Sequence, residues 1–276
     1  MTLDSRITAR TVEFARQMRV DILQQIFEAG SGHPGGSMSC ADLLACVFTT
    51  RIDPTALAEE RLDRNHFIMS KGHAAPALYA ALAGIGAIER SELSQLRQLG
   101  SRLQGHPDRT RLPAVEMSTG SLGQGLSVGA GLSWQMRRQG LSGAVYVLIG
   151  DGELDEGQVW EAIALSGVLR LDHLVAIVDA NGIQNDGRVE EILDLRPYPQ
   201  KFQAFGWRVK EIDGQDHGEI LAALEWAEAE QPQPSMILAH TTKGSGVSFM
   251  EDQPAWHSHS LTDAQLSTAL AELTAP

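Results

Sequence analysis

A doubly wound α/β fold, with a mostly parallel sheet and helices on both faces, is predicted by three features of this 276-residue chain. Residues 144–149 are a continuous apolar run of strand length, the pattern of a strand covered on both faces, and 173–179, apolar from Leu174 to Val178, read as a second buried strand. Residues 158–169 lie between them with a helical apolar face, and strand, helix and strand in that order form a βαβ unit. Apolar residues make up 43% of the chain and charged residues 21%, ordinary globular usage that supports a sizeable core.

The remaining elements follow in order. Residues 7–28 place Val12, Ala15, Met18, Ile22 and Ile26 at helical spacing, and Gly30-Ser31-Gly32-His33-Pro34-Gly35-Gly36 stops that helix. A second apolar helix is expected over 39–48, a charged surface connection over 57–65, and a short buried strand at Phe67-Ile68-Met69. Ser70-Lys71-Gly72-His73 then leads into an Ala-rich buried helix over 74–83, with a further helix expected over 91–99 and a polar loop over 100–110. The Gly-, Ser- and Leu-rich stretch 120–131 reads as a loop entering a closely packed helix that runs to about Gln139. A third unit uses 207–212 as strand, 218–230 as helix and 235–239 as strand. Gln231-Pro232-Gln233-Pro234 is a loop rather than a boundary, so residues 1–276 are expected to form one domain with a polar tail from about Gly244 and a short terminal helix.

Composition removes several functions. Acidic residues number 35 against 22 basic ones, and the net charge of −13 has the wrong sign for a nucleic-acid binder that works by counterion release. No apolar run approaches the roughly 20 residues that span a bilayer, so no membrane role is expected. Asp4, Arg6, Arg10 and Glu13 interrupt any secretory signal core, and a cytoplasmic location is expected. Cys40 and Cys46, six residues apart in a helical segment, are expected to be buried thiols rather than a disulfide. Aromatics are only 5% while Gly numbers 27, so loops and backbone turns must shape any site.

The sharpest signal is Gly150-Asp151-Gly152-Glu153-Leu154-Asp155-Glu156-Gly157, followed by Asp179-Ala180-Asn181-Gly182. Gly152 and Asn181 enclose one helix and one strand, which puts Asp151 and Asn181 at the carboxyl ends of two strands, where open α/β sheets bind ligands. A carboxylate, an amide oxygen and the Ile183 carbonyl supply hard oxygen ligands of the kind Mg²⁺ takes together with substrate phosphates. The expected ligand is a metal diphosphate, favoured also by the glycine backbone and the following helix N-terminus. A lone Gly-Asp-Gly is usually only a turn; two pieces at βα junctions with this interval look like the thiamine diphosphate motif. The second signal is a set of loop histidines with Gly or Pro beside them: Gly32-His33-Pro34, Gly72-His73 and Gly105-His106-Pro107, with Trp256-His257-Ser258-His259 in the tail. Neutral imidazoles in such loops suit proton transfer near neutral pH, although any one alone reads as an exposed loop histidine; zinc spacing is absent.

In this order, with Ser70-Lys71-Gly72-His73-Ala74 and Thr119-Gly120-Ser121-Leu122-Gly123-Gln124-Gly125 between them, these motifs resemble the N-terminal, diphosphate-binding half of transketolases over nearly the whole chain. The resemblance implies a thiamine diphosphate-binding fold with Asp151, Asn181 and the Ile183 carbonyl holding Mg²⁺, for which Ca²⁺ or Mn²⁺ could substitute. It implies that Gly152, His73 and Asn181 contact the diphosphate, and that the Gly120-Ser121-Leu122 backbone contacts the aminopyrimidine, with Ser121 where the family often has Pro. His33, His106 and His257 would line the substrate channel, His33 or His257 taking a proton from the donor's C3 hydroxyl, and Glu156 would sit at a subunit contact. The pyrimidine-binding domain, whose glutamate activates the cofactor, is expected on a separate C-terminal transketolase subunit in an α2β2 heterotetramer. The implied reaction transfers a two-carbon ketol unit between sugars or sugar phosphates. There are two alternatives, the α subunit of a 2-oxo-acid dehydrogenase or a non-catalytic, cofactor-binding subunit. The Gly32–Gly36 and Ser70–His73 motifs argue against the first, the complete residue set against the second.

Overall fold

The computed structural model describes residues 5–185 and 187–275; Asp4, invoked above against a signal core, lies outside them. Its strands are β1 (His66–Met69), β2 (Val145–Gly150), β3 (Leu174–Ala180), β4 (Ile183–Gln184), β5 (Gly187–Arg188), β6 (Arg208–Asp213) and β7 (Ser235–His240). Five of these form one parallel sheet in the order β1-β2-β3-β7-β6, and β4 with β5 makes a small antiparallel hairpin beside it. Strict alternation along the central strands divides the core in two. Val145, Val147 and Ile149 of β2 belong to one cluster with Leu174, Ala176 and Val178, whereas Tyr146 and Leu148 join the other with Val175 and Ile177.

Helices cover both faces as the sequence predicts. On the Tyr146 side lie α1 (Ser5–Ala29), α2 (Pro34–Ser39), α3 (Ala41–Thr50), α4 (Pro54–Ala58) and α5 (Ala75–Gly84). On the Val147 side lie α6 (Gln124–Gln139), α7 (Gly157–Leu169) and α9 (Tyr198–Ala204), with the single turn α8 (Val189–Ile192) near the hairpin; α10 (His217–Glu228) and α11 (Asp263–Thr274) return to the Tyr146 side. Gly129 lets α6 lie close on the sheet, because a Cβ there would stand 2.5 Å from a Val147 methyl. Side-chain caps fix several helix starts: Asp53 accepts from the Thr55 N–H (2.9 Å), Asp216 from the Glu219 N–H (3.0 Å), and Thr262 with Gln265 forms a capping box. Among the described residues no helix is long and apolar enough to cross a membrane.

Four expectations change. Residues 91–99 do not make a helix: Arg90–Gln95 is a 3₁₀ stretch closed by a Glu89–Glu92 capping box, and the chain turns extended at Leu96. The glycine-rich stop expected over 30–36 gives way to helix within itself: Pro34–Ser39 form α2, for which Pro34 presets the first turn. Val12 faces solvent although Ala15, Met18, Ile22 and Ile26 are buried. The tail beyond Gly244 is packed rather than peripheral: Val247, Met250, Trp256, Leu261, Ala269 and Leu273 are buried. A buried cluster ties this tail to the helices, since Arg19 pairs with Asp42 and donates to the Ser245 carbonyl (3.0 Å), while His217 meets the same Asp42 (3.1 Å). Cys40 and Cys46 are free and buried as expected; burial pushes their thiols up to about 11 and about 12, so they stay protonated and inert.

Candidate active site

The loops that follow β1, β2, β3 and β7 meet at the carboxyl edge of the sheet, where strand order places the ends of sequence-distant segments together. They enclose a cavity of about 270 Å³ whose lining includes His33, Lys71, His73, Asp151, Lys243 and His257. Gly120, Leu122, Gly152, Asn181 and Ile183 complete its walls. Of the residues singled out from sequence, Ser121 is exposed just outside, and Glu156 is exposed at the start of α7 with no side-chain cap bond.

A fully buried ion pair frames the cavity. Lys71 pairs with Asp179, and the same carboxylate accepts from Ser39 Oγ (2.6 Å), Asn181 Nδ2 (3.1 Å) and the Thr241 hydroxyl. Burial alone would raise the Asp179 carboxyl, yet the ammonium and these donors hold it below the usual carboxylate range. Glu153, also buried, gathers three loops by accepting from the Ser70 hydroxyl, the Gly123 N–H (2.8 Å) and the Gly150 N–H (3.1 Å). These two knots hold the loops in register.

Asp151 is arranged differently. Among the described residues its carboxylate accepts only from backbone N–H groups, those of Gly152 (2.9 Å) and Gly182 (2.6 Å), and burial followed by the neighbouring Asp179 charge pushes it up to about 7. Asn181 Oδ1 accepts from the Ile183 N–H (3.1 Å). The Ile183 carbonyl receives the Lys243 ammonium (2.8 Å), so a positive centre already stands at this group of oxygens. Burial, and then Lys71, lowers Lys243 to about 8. Among the described residues no group of three acidic, histidine or cysteine side chains could hold a metal. The donor set is one carboxylate, one amide oxygen and one carbonyl, which matches a hard cation that takes its other ligands from a phosphate-bearing cofactor.

Three histidines cluster in the same cavity. The ring centres of His33 and His73 are 5.2 Å apart, of His73 and His257 5.2 Å, and of His33 and His257 5.6 Å; His106 lies 6.2 Å from His33 and opens to solvent. Burial, with the Arg97, His106 and Lys243 charges, drives His33 down to about 4, and burial with Lys243 drives His257 to about 3. Both are therefore neutral near pH 7. Lys243 Nζ donates to His257 Nδ1 (2.8 Å), which assigns the ring proton to Nε2 and makes His257 a donor toward the cavity. His33 Nδ1 is buried and has no hydrogen-bond partner among the described residues. His106 backs onto Gly120, at which a Cβ would come within 3.2 Å of the imidazole.

The structure thus brings together His33, His73, His257, Gly120, Leu122, Asp151, Gly152, Asn181 and Ile183, with His106 at the margin. Lys243 is the residue that sequence reasoning missed. Its signal was available: Thr241-Thr242-Lys243-Gly244 directly follows β7, and the end of a parallel strand is where such sheets present ligand-binding groups.

Comparison with known proteins agrees with this geometry. The family described as "Transketolase, thiamine diphosphate binding domain" matches residues 7–274. The chain is 43% identical over 261 residues to the 6-deoxy-6-sulfo-D-fructose transketolase subunit SqwG of a Clostridium species (strain MSTE9), covering 94% of each. It is 37% identical to a subunit of the apulose-4-phosphate transketolase of Phocaeicola vulgatus, covering 93% of this chain and 91% of that one. Mouse transketolase is 37% identical, but the match covers 94% of this chain and only 41% of the longer enzyme. Among solved structures, Campylobacter jejuni transketolase superposes with a TM-score of 0.86 at 30% identity, over 98% of this chain and 43% of that one. The chain therefore spans about two-fifths of the full-length transketolases it matches and nearly the whole of the separate subunits.

Proposed function

The chain belongs to the transketolase family, and on that premise we propose that it is the diphosphate-binding subunit of a two-chain enzyme moving a two-carbon ketol unit from a ketose to an aldose. One observation carries the reading: three histidines, a buried carboxylate and two buried lysines line a single cavity at the sheet's carboxyl edge. Residues 1–276 act as one thiamine diphosphate-binding unit, with the tail delivering Lys243 and His257.

The residues present fit thiamine diphosphate with a divalent cation. Asp151, Asn181 Oδ1 and the Ile183 carbonyl would hold Mg²⁺, with Ca²⁺ or Mn²⁺ as substitutes; a cation would stabilise the ionised form of the buried, raised Asp151 carboxylate, and Lys243, which meets the Ile183 carbonyl in the cofactor-free chain, would turn to the diphosphate. His73, Lys243, the Asn181 side chain and the Gly152 N–H would bind the diphosphate, and the Gly120-Ser121-Leu122 backbone the aminopyrimidine. When bound, the cofactor supplies the nucleophilic carbon and carries the two-carbon unit between sugars. His33, a neutral imidazole on the cavity lining, would take the proton from the donor's C3 hydroxyl, and His257 would donate through Nε2 to a substrate oxygen. His106 borders the channel. An anionic diphosphate beside these rings raises their affinity for protons from the low values that burial imposes, bringing them toward a useful range.

Relatives named as subunits imply a partner chain. We assign it the pyrimidine-binding half in an α2β2 heterotetramer, with Glu156, exposed and uncapped at the start of α7, at the contact. The relatives' names, a sulfonated fructose and a ketose phosphate, support an anionic sugar as substrate. Two reduced, buried cysteines suit the cytoplasm. The test is ketol transfer by this chain and a candidate partner, separately and mixed, with thiamine diphosphate and Mg²⁺. Activity confined to the mixture is expected; activity of this chain alone would overturn the two-chain reading.

A further inference from the structure

The Ile183 carbonyl belongs to the planar peptide unit that joins Ile183 to Gln184, so whatever fixes those two residues aims its oxygen. Ile183 is anchored twice: its side chain is buried, and its N–H donates to Asn181 Oδ1 (3.1 Å). The hairpin gives Gln184 little support, since β4 and β5 have two residues each and Gln184 stands opposite Gly187 at their end. Gln184 is held instead by its side chain. Its Nε2 donates to Asp155 Oδ2 (2.9 Å), and its Cβ lies against Gly152, at which an added Cβ would come within 2.6 Å of it. Both Ile183 and Gln184 line the cavity.

Asp155 closes the short 3₁₀ turn Gly152–Asp155, which Asp151 caps by accepting from the Gly152 N–H. One turn of chain therefore carries a proposed metal ligand at its start and, at its end, the carboxylate that grips the residue beside another. The fold does not account for that carboxylate. Among the described residues it pairs with no cation, the bond from Gln184 is its one hydrogen bond, and its second oxygen, Oδ1, is buried with no partner. A buried carboxylate oxygen without a donor costs stability, so the benefit of Asp155 lies elsewhere. Its charge reaches the neighbourhood of Asp151: the Tyr198 hydroxyl is pushed up to about 12 by burial and then by Asp151 and Asp155.

We propose that Asp155 is a positioning residue for the divalent cation: through Gln184 it holds the Ile183–Gln184 peptide so that the carbonyl, which receives Lys243 in the cofactor-free chain, is already aimed when a cation takes the ammonium's place, an assignment that rests on the metal diphosphate reading above. The test follows metal affinity rather than turnover. Mn²⁺ is titrated into the full chain with thiamine diphosphate, with and without the partner chain, and free Mn²⁺ is read by electron paramagnetic resonance. Asp155→Ala should weaken Mn²⁺ roughly 10-fold, and Asp155→Asn, which keeps an acceptor oxygen, should recover part of the loss. The cofactor-free Asp155→Ala protein should melt no lower than the native one, because the unpartnered oxygen is gone. Gln184→Ala should weaken Mn²⁺ to a similar extent, and the double variant no further than either single one, because both changes cut the same link. Unchanged affinity, losses that multiply in the double variant, or a fall in Tm alongside the loss would overturn the assignment. A second readout needs no cofactor: backbone NMR relaxation at Gln184 should report an ordered peptide in the native chain and a mobile one in Asp155→Ala, and equal order in both would overturn the proposal. If the native protein binds no Mn²⁺ with thiamine diphosphate, the metal diphosphate reading fails, and the relaxation measurement decides the hold of Asp155 on Gln184 by itself.

Discussion

Asp179 and Asp151 end neighbouring strands, β3 and β2, with the Asp151 N–H donating to the Asp179 carbonyl (3.2 Å), and both side chains are buried. Asp179 is saturated by Lys71, Ser39, Asn181 and Thr241 and stays ionised. Among the described residues Asp151 receives two N–H groups and no side-chain cation, and burial lifts it to about 7. Their lysines mirror them: Asp179 holds Lys71 above its ordinary value despite burial, whereas Lys243, facing a carbonyl and an imidazole, is lowered to about 8. One pair is closed and structural. The other is open, with charge that only an incoming cation and anion can complete, and it is there that the fold leaves room for a ligand's own charges.

The comparison can be broken most directly at the closed pair. Lys71→Met strands an ionised carboxylate in the core and should cost about 3–5 kcal/mol of stability, read as a large drop in Tm; an unchanged Tm would mean that Asp179 is not held by this lysine. At the open pair the same kind of change should spare the fold. Asp151→Asn removes the charge of the proposed metal site, and thiamine diphosphate affinity in Mg²⁺, measured by calorimetry, should fall by more than the roughly 10–100-fold that loss of a residue merely supporting a ligand costs. The cofactor-free protein should melt no lower than the native one at pH 8. Unchanged cofactor affinity would remove Asp151 from the metal site.

Lys243→Met should be milder. Loss of one charge-assisted hydrogen bond predicts roughly 10-fold weaker cofactor binding, with no fall in the Tm of the cofactor-free protein. An equal loss of Tm to that of Lys71→Met would erase the distinction between the two lysines.

The smallest effects lie in the pH dependence of the cofactor-free protein. Asp151 is raised from 3.8 to about 7, so its stabilising contribution is complete below 3.8 and disappears as pH rises through about 7. His33 and His257 are lowered from 6.5 to about 4 and about 3, so theirs is complete above 6.5 and is lost as pH falls through those values. Thermal melts should therefore lose a decline with rising pH between 3.8 and about 7 in Asp151→Asn, and part of the decline with falling pH below 6.5 in His257→Gln. Both variants following the native curve would mean that these groups titrate normally. Metal-dependent cofactor affinity should rise with pH across about 7 as Asp151 ionises.

Much of the fold and part of the site were legible along the chain. The runs before Asp151 and Asn181 became β2 and β3 because β-strand burial on both faces demands continuous apolar sequence. The glycine-flanked histidines were recognisable by their local setting, since imidazole in such loops has little packing role. What stayed hidden depends on distant partners. The tail after Gly244 reads as polar, but Arg19 and Asp42, more than 200 residues away, anchor the Ser245 carbonyl and seat Trp256 and His257 against the core. Residues 91–99 carry helical spacing, yet a capping box at Glu89 and Glu92 and an extended Leu96 divert the chain, and that diversion sets Arg97 over Gly105.

By itself the sequence determined the parallel sheet, the oxygen donors at the ends of β2 and β3, and the set of histidines, because these follow from short-range patterns of apolarity, glycine and chain direction. Only the tertiary structure decided which carboxylate is neutralised within the protein and which is left for a ligand, and which lysine belongs to each. Asp151 and Asp179 are alike as residues; their charge states diverge because burial makes ionisation depend on whatever charged partner the fold brings within a few ångströms.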